Sequence, residues 1–109
     1  MANLADFVFL DTSSTVTTSN TFYLPYSTNE VWIQVTGSST IDVTVQGKSD
    51  VENGSFATVG VIKCADFQTA AKIEAEGIYI VPAAGIRQIQ VVNAQSAGSV
   101  TVFGTASGG

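Results

Sequence analysis

The chain has no histidine, one cysteine, two prolines and only four basic residues among its 109. Without histidine there is no serine triad, no cysteine–histidine pair and no histidine metal site, the arrangements behind much hydrolytic chemistry near neutral pH. Cys64 has no second cysteine for an internal disulfide and no histidine with which to complete a common zinc site. Following a strand-like run, it reads as a small buried hydrophobe, with an intermolecular disulfide as the alternative. Nine acidic residues face Lys48, Lys63, Lys72 and Arg87, for a net charge of -5 and an isoelectric point near 4.2. That field repels polyphosphate and argues against nucleic acid as a partner. No stretch reaches the roughly 20 apolar residues of a membrane span. The N-terminal MANLADFVFLDTSS has no basic residue before an apolar run too short for a signal-peptide core, so neither a membrane nor a leader is expected.

Charged residues make up 12% of the chain, against about 25% in an ordinary soluble domain. Polarity comes instead from 24 serines and threonines. Hydroxyl-bearing β-branched side chains, with valine and isoleucine, suit a pleated half-buried surface. Sparse charge and a mean hydropathy of +0.30 fit a surface partly buried against other subunits, and equally one solvated by hydroxyls and amides. The length suits a single core, and a single domain over residues 1–109 is expected.

Period-two alternation is clearest in Glu30 to Thr36, where Val31, Ile33 and Val35 face one way and Trp32, Gln34 and Thr36 the other. Ile41 to Gly47 repeats it, and Gly37-Ser38-Ser39-Thr40 has the length and residues of a hairpin loop, which predicts that the two runs pair. Ser55 to Lys63 reads as a further strand, Ala71 to Ala75 as a weak one, and Ile78 to Val81 as a short one ended by Pro82. Ile86 to Asn93 and Ser99 to Thr105 complete the clear set, with glycines at Asn53-Gly54, Glu76-Gly77, Ala84-Gly85 and Ala97-Gly98 for the reversals. Thr15 to Thr18 and Thr21 to Leu24 are polar strands. Residues 1–12 read as an N-terminal arm or an edge strand. Ala65 to Ala75 lacks a consistent apolar stripe and reads as loop with at most one helical turn. Residues 106–109 have no side chains to anchor them and read as a flexible tail. The fold class is therefore all-β: an antiparallel β-sandwich or jelly roll of about eight strands, with a barrel as the alternative.

Nothing in this pattern assembles a catalytic site, and no enzymatic activity or cofactor is expected. A two-carboxylate glycosidase needs no histidine, but Asp50, Glu52 and Glu76 fall in turns, and an enclosed sugar cleft is hard to build in so short a chain. Asp50-Val51-Glu52-Asn53-Gly54 lacks the alternating ligands and distal bidentate glutamate of an EF-hand and reads as a turn. Trp32 lies opposite Val31, Ile33 and Val35, which makes it a core, interface or sugar-stacking residue, with Tyr23, Tyr26 and Tyr79 as further stacking candidates. Arg87 suits a surface ion pair or an interface. Phe7-Val8-Phe9 is apolar at consecutive positions, and with Trp32 it forms the expected contact surface.

From Val31 onward, VWIQVTGSSTIDVTVQGKSDVENGSFATVGVI, GIYIVPAAGIRQIQVV and AGSVTVFGTASG resemble a pattern of small tailed-phage virion proteins and head or tail fibre modules. In it an aromatic-bearing strand leads through a Gly-Ser turn to a V-x-V-x-G strand, an N-G-S-F turn, a G-I-Y strand, an I-R-x-I-x-V strand and a final G-x-V-T-V-x-G strand. The likeness covers roughly residues 20 to 106. Two positions depart from it: Gly47-Lys48-Ser49-Asp50 replaces an unbroken Gly-Ser, and Phe56 stands where tryptophan is frequent. The resemblance implies a non-enzymatic virion protein, first a capsid decoration or cement protein, with the major capsid protein or other virion subunits as partner and a homotrimer favoured. A tail or baseplate fibre module or a carbohydrate-binding module is the alternative. A three-fold assembly hides edge strands that otherwise invite aggregation.

Overall fold

The computed structural model describes residues 2–14, 16–37, 40–49, 54–95 and 98–108, with the backbone alone for 2–4. Among these the elements are all strands: β1 (Ala2–Ser13), β2 (Thr17–Thr18), β3 (Phe22–Tyr23), β4 (Glu30–Gly37), β5 (Val43–Lys48), β6 (Ala57–Thr58), β7 (Val61–Lys63), β8 (Thr69–Ala70), β9 (Gly77–Pro82), β10 (Gln88–Asn93) and β11 (Val100–Gly108). One sheet has six strands in the order β1-β11-β4-β9-β7-β8. The other has five: β10 pairs with β5 on one side, which in turn pairs with β6, and with the short β2 and β3 on the other. The molecule is a two-layer antiparallel β-sandwich.

Alternation builds the interior. Val31, Ile33 and Val35 of β4, Tyr79 and Val81 of β9, and Val100, Val102 and Ala106 of β11 point from the six-stranded sheet into the core. Val43 and Val45 of β5 and Ile89 and Val91 of β10 meet them from the other. The largest fully buried side chains are all valine or isoleucine, whose branched Cβ is stiff and packs well on a pleated surface. Each contributes about 1.5–3 kcal/mol by leaving water.

Several expectations are corrected. The runs at 30–36 and 41–47 are not a hairpin: β4 pairs with β9 and β11, while β5 lies in the other sheet beside β10. Both runs put valines on an inner face, and an inner face from each sheet is what a sandwich needs, so the connection crosses between layers instead of reversing within one. Ser38 and Ser39 in that connection lie outside the described residues, as do Asp50 to Asn53 and Ala97. Ser55 to Lys63 also divides: β6 pairs with β5, β7 pairs with β9 and β8, and Val59-Gly60 carries the chain from one sheet to the other. Strand character at 71–75 reduces to an isolated bridge between Ile73 and Val43, with β8 slightly earlier. These divisions raise the strand count above the expected eight.

Residues 106–108 are no tail. Ala106, Ser107 and Gly108 complete β11, where Ala106 pairs with Ala5 and Val31, Ser107 with Asn3 and Glu30, and Gly108 with Ala2. The anchoring is by backbone ladder, which needs no side chain, and small residues let β11 sit between two neighbours. The N-terminal segment is the edge strand β1, antiparallel to β11 with three register shifts.

Candidate interaction surface

The outer face of the six-stranded sheet is not covered by any other described element, and the strand register decides what it presents. Trp32 on β4 stands between Thr105 of β11 and Ile80 of β9, and Ile80 in turn faces Ile62 of β7. One row along, Gln34 stands between Phe103 and Ile78, and Phe103 faces Val8 of β1. Val8, Phe103 and Ile78 are 54%, 45% and 46% exposed, high for large apolar groups brought together on one face. A shallow open depression of about 250 Å³ lies among Trp32, Ile33, Gln34, Ile78, Phe103, Gly104 and Thr105.

Polar groups fix this face. The Trp32 indole Nε1 donates to Glu30 Oε1 at 2.9 Å, which ties the half-buried ring to a residue two positions back on its own strand. Thr105 Oγ1 donates to Asp6 Oδ1 at 3.0 Å, tying β11 to β1. The face thus carries apolar side chains flanked by carboxylates.

The contact residues expected from sequence separate into two groups. Val8 and Trp32 belong to the outer face. Phe7 and Phe9 point the other way and are buried, and with Phe22 of β3 they form a three-ring cluster whose centroids lie 5.7, 5.1 and 5.2 Å apart. That cluster closes the open side between the two sheets. A register shift between Val8 and Leu10 lets Phe9 and Leu10 both face inward, so consecutive apolar residues need no external partner. Phe9 also lies over Gly104, where a Cβ would stand 2.6 Å from its ring. Phe103, Ile78 and Ile80, placed on strands by the sequence but not among its expected contact residues, enter the face only through cross-strand pairing.

Tyr79 is buried, and its hydroxyl donates to the Ala75 carbonyl at 2.6 Å. Burial, with Asp66 nearby, raises its phenol above the ordinary value of 10.0. Tyr23 and Tyr26 are exposed. Arg87 is buried, its guanidinium contacting the carbonyls of Leu24 and Tyr26 at 3.4 and 3.5 Å and stacking 4.7 Å from the Tyr26 ring. Cys64 is half-buried and free. Among the described residues no group of three His, Cys, Asp or Glu is placed to hold a metal ion.

Fold and surface together define the class: a small two-sheet antiparallel β-sandwich with an uncovered apolar sheet face. No protein-family model matches the chain, and no curated protein matches its sequence. Two solved structures share the fold. One is the SPBc2 prophage-derived protein YomS, with a TM-score of 0.82 and 19% identity over 94% of this chain and 90% of YomS. The other is the PBSX exported protein XepA, with a TM-score of 0.84 and 21% identity over 94% of this chain. The chain spans 37% of XepA's length. At these identities the likeness is one of fold.

Proposed function

We propose that this chain is a non-enzymatic structural protein of a phage particle, attached to neighbouring subunits through the outer face of its six-stranded sheet. The observation that carries the reading is the apolar patch that Val8, Phe103, Trp32, Ile78 and Ile80 form across two neighbouring rows, on a face that no other described element covers. Fold likeness to a protein described as prophage-derived supports the phage setting.

The finer reading is a decoration or cement protein on the capsid, with the major capsid protein as partner and a trimer as its assembly. Six strands at roughly 4.8 Å spacing and 3.3 Å rise, shortening from 12 residues in β1 to 2 in β8, give a face on the order of 600 Å². A standard interface buries about 800 Å² per partner. A single contact of this size is weak, and many copies on a repeating shell gain strength by multivalency.

Particles purified from the phage that encodes the chain provide the test. Mass spectrometry should find the chain on wild-type particles, and Phe103→Asp should shift it to the soluble fraction while its melting temperature stays unchanged. Wild-type particles without the chain, or Phe103→Asp particles that keep it, overturn the proposal.

A further inference from the structure

The opposite outer face, that of the five-stranded sheet, has different chemistry. Val43, Val45, Ile89 and Val91 point inward, so Gln46, Lys48, Gln88 and Gln90 point out. Register brings them into two rows. In one, Tyr23 of β3 faces Gln88 of β10, which faces Lys48 of β5. The Lys48 ammonium lies 5.4 Å from the centre of the Phe56 ring, which holds it in place. In the other row Thr21 Oγ1 donates to Gln90 Oε1 at 3.2 Å, and Gln90 Nε2 donates to Gln46 Oε1 at 2.7 Å. The ladder orients its amides and leaves the Gln46 N–H groups directed away from it.

Charge separates this face from the rest of the molecule. Lys63 and Lys72 are paired with Asp66 at 3.8 Å and Asp42 at 3.3 Å, and Arg87 is spent on backbone carbonyls. Among the described residues Lys48 has no carboxylate partner, in a chain of net charge -5. Tyr23, 72% exposed, stands two strand positions away, about 10 Å across the sheet. One row holds an open aromatic ring, the Gln88 amide and a cation with no carboxylate partner among the described residues, and the next row holds the hydrogen-bonded amides; together they match a short run of sugar rings bearing sparse negative charge. The overall acidic field opposes a densely charged polyphosphate chain far more than a glycan with sparse charge.

We propose that the outer face of the five-stranded sheet binds an anionic glycan. A pyranose ring stacks on Tyr23, sugar hydroxyls bond to the amides of Gln88 and Gln46, and a carboxylate or phosphate of the glycan rests on the Lys48 ammonium. The site lies on the sheet opposite the apolar face, so it does not depend on attachment through Phe103.

The test titrates the whole chain with digalacturonate, cellobiose 6-phosphate and neutral cellobiose, following backbone amide shifts by NMR. Saturable binding of either acidic sugar, with shifts centred on Tyr23, Gln46, Lys48 and Gln88 and at least about tenfold weaker binding of cellobiose, is the expected result. Which acidic sugar binds identifies carboxylate or phosphate as the recognised group. Tyr23→Ala and Lys48→Gln should each weaken binding about tenfold with the fold intact, whereas Phe103→Asp should leave it unchanged. No saturable binding of either acidic sugar, equal binding of cellobiose, or shifts centred elsewhere overturns the proposal. Lys48→Gln should still attach to particles, so failure of this site and failure of the attachment face are separately visible.

Discussion

Tyr79 of β9 places its ring in the core and its hydroxyl on the Ala75 carbonyl. Because burial raises its pKa, the folded chain holds this proton more tightly than the unfolded chain does. The associated stability is intact below 10.0 and is lost as pH rises through the higher folded value. Tyr79→Phe should lower stability by about 1 kcal/mol at neutral pH and flatten the alkaline fall, as measured by denaturant melts at increasing pH. Phe67 is 76% exposed and holds a φ of 59°, a left-handed conformation costly for a bulky side chain. Phe67→Asn should raise stability by about 1 kcal/mol in the same melts. At Gly104 a methyl group meets the Phe9 ring, and Gly104→Ala should cost about 1–3 kcal/mol.

At the scale of elements, β11 does the most joining, since it pairs with β1 on one side and β4 on the other. Ala106 and Ser107 continue both ladders and Gly108 the one to β1, and the Ser107 carbonyl accepts from the Asn29 amide at 2.9 Å. Deleting residues 106–109 should remove pairing from both neighbours and buried Ala106 from the core, giving a large loss in melting temperature by circular dichroism. A tail of no structural consequence predicts no change. β1 is a long edge strand, a form that invites pairing with another chain. Its three register shifts interrupt that edge and blunt it as a template. Of the apolar face, Trp32 was legible in the sequence from its place in an alternating run, and Val8 from its place in the consecutive apolar run Phe7-Val8-Phe9. Phe103, Ile78 and Ile80 were not, because alternation tells which side of a strand a residue takes but not which strand lies beside it. The glutamine row has the same origin: Gln46 and Gln90 become partners only through the β5–β10 register.

For the whole molecule, the radius of gyration of 13.0 Å is that of one compact domain of this length, about 13 Å for 100 residues. Both sheets are assembled from strands distant in sequence, with β1 against β11 and β4 between β11 and β9. Such topologies close long loops before contacts reward them, so refolding should take milliseconds to seconds in stopped-flow fluorescence of Trp32. Sub-millisecond refolding would contradict the pairing order described. The two outer faces are chemically unlike, one apolar and flanked by carboxylates, the other amide-rich with a lysine that has no carboxylate partner among the described residues, and the sandwich holds them on opposite sides.

The sequence by itself determined that the chain is all-β, which residues of each clear strand face inward, and that the histidine-dependent catalytic arrangements are missing. Those properties depend on residue identity and on a period of two, both local. Tertiary structure decided which strands pair, where 55–63 divides between sheets, that 106–108 close β11, and that Phe7 and Phe9 pack inside while Val8 and Trp32 share an outer face. The reason is physical: backbone hydrogen bonds are the same for any strand partner, so partner choice is settled by how the valine and isoleucine faces of two sheets fill one core.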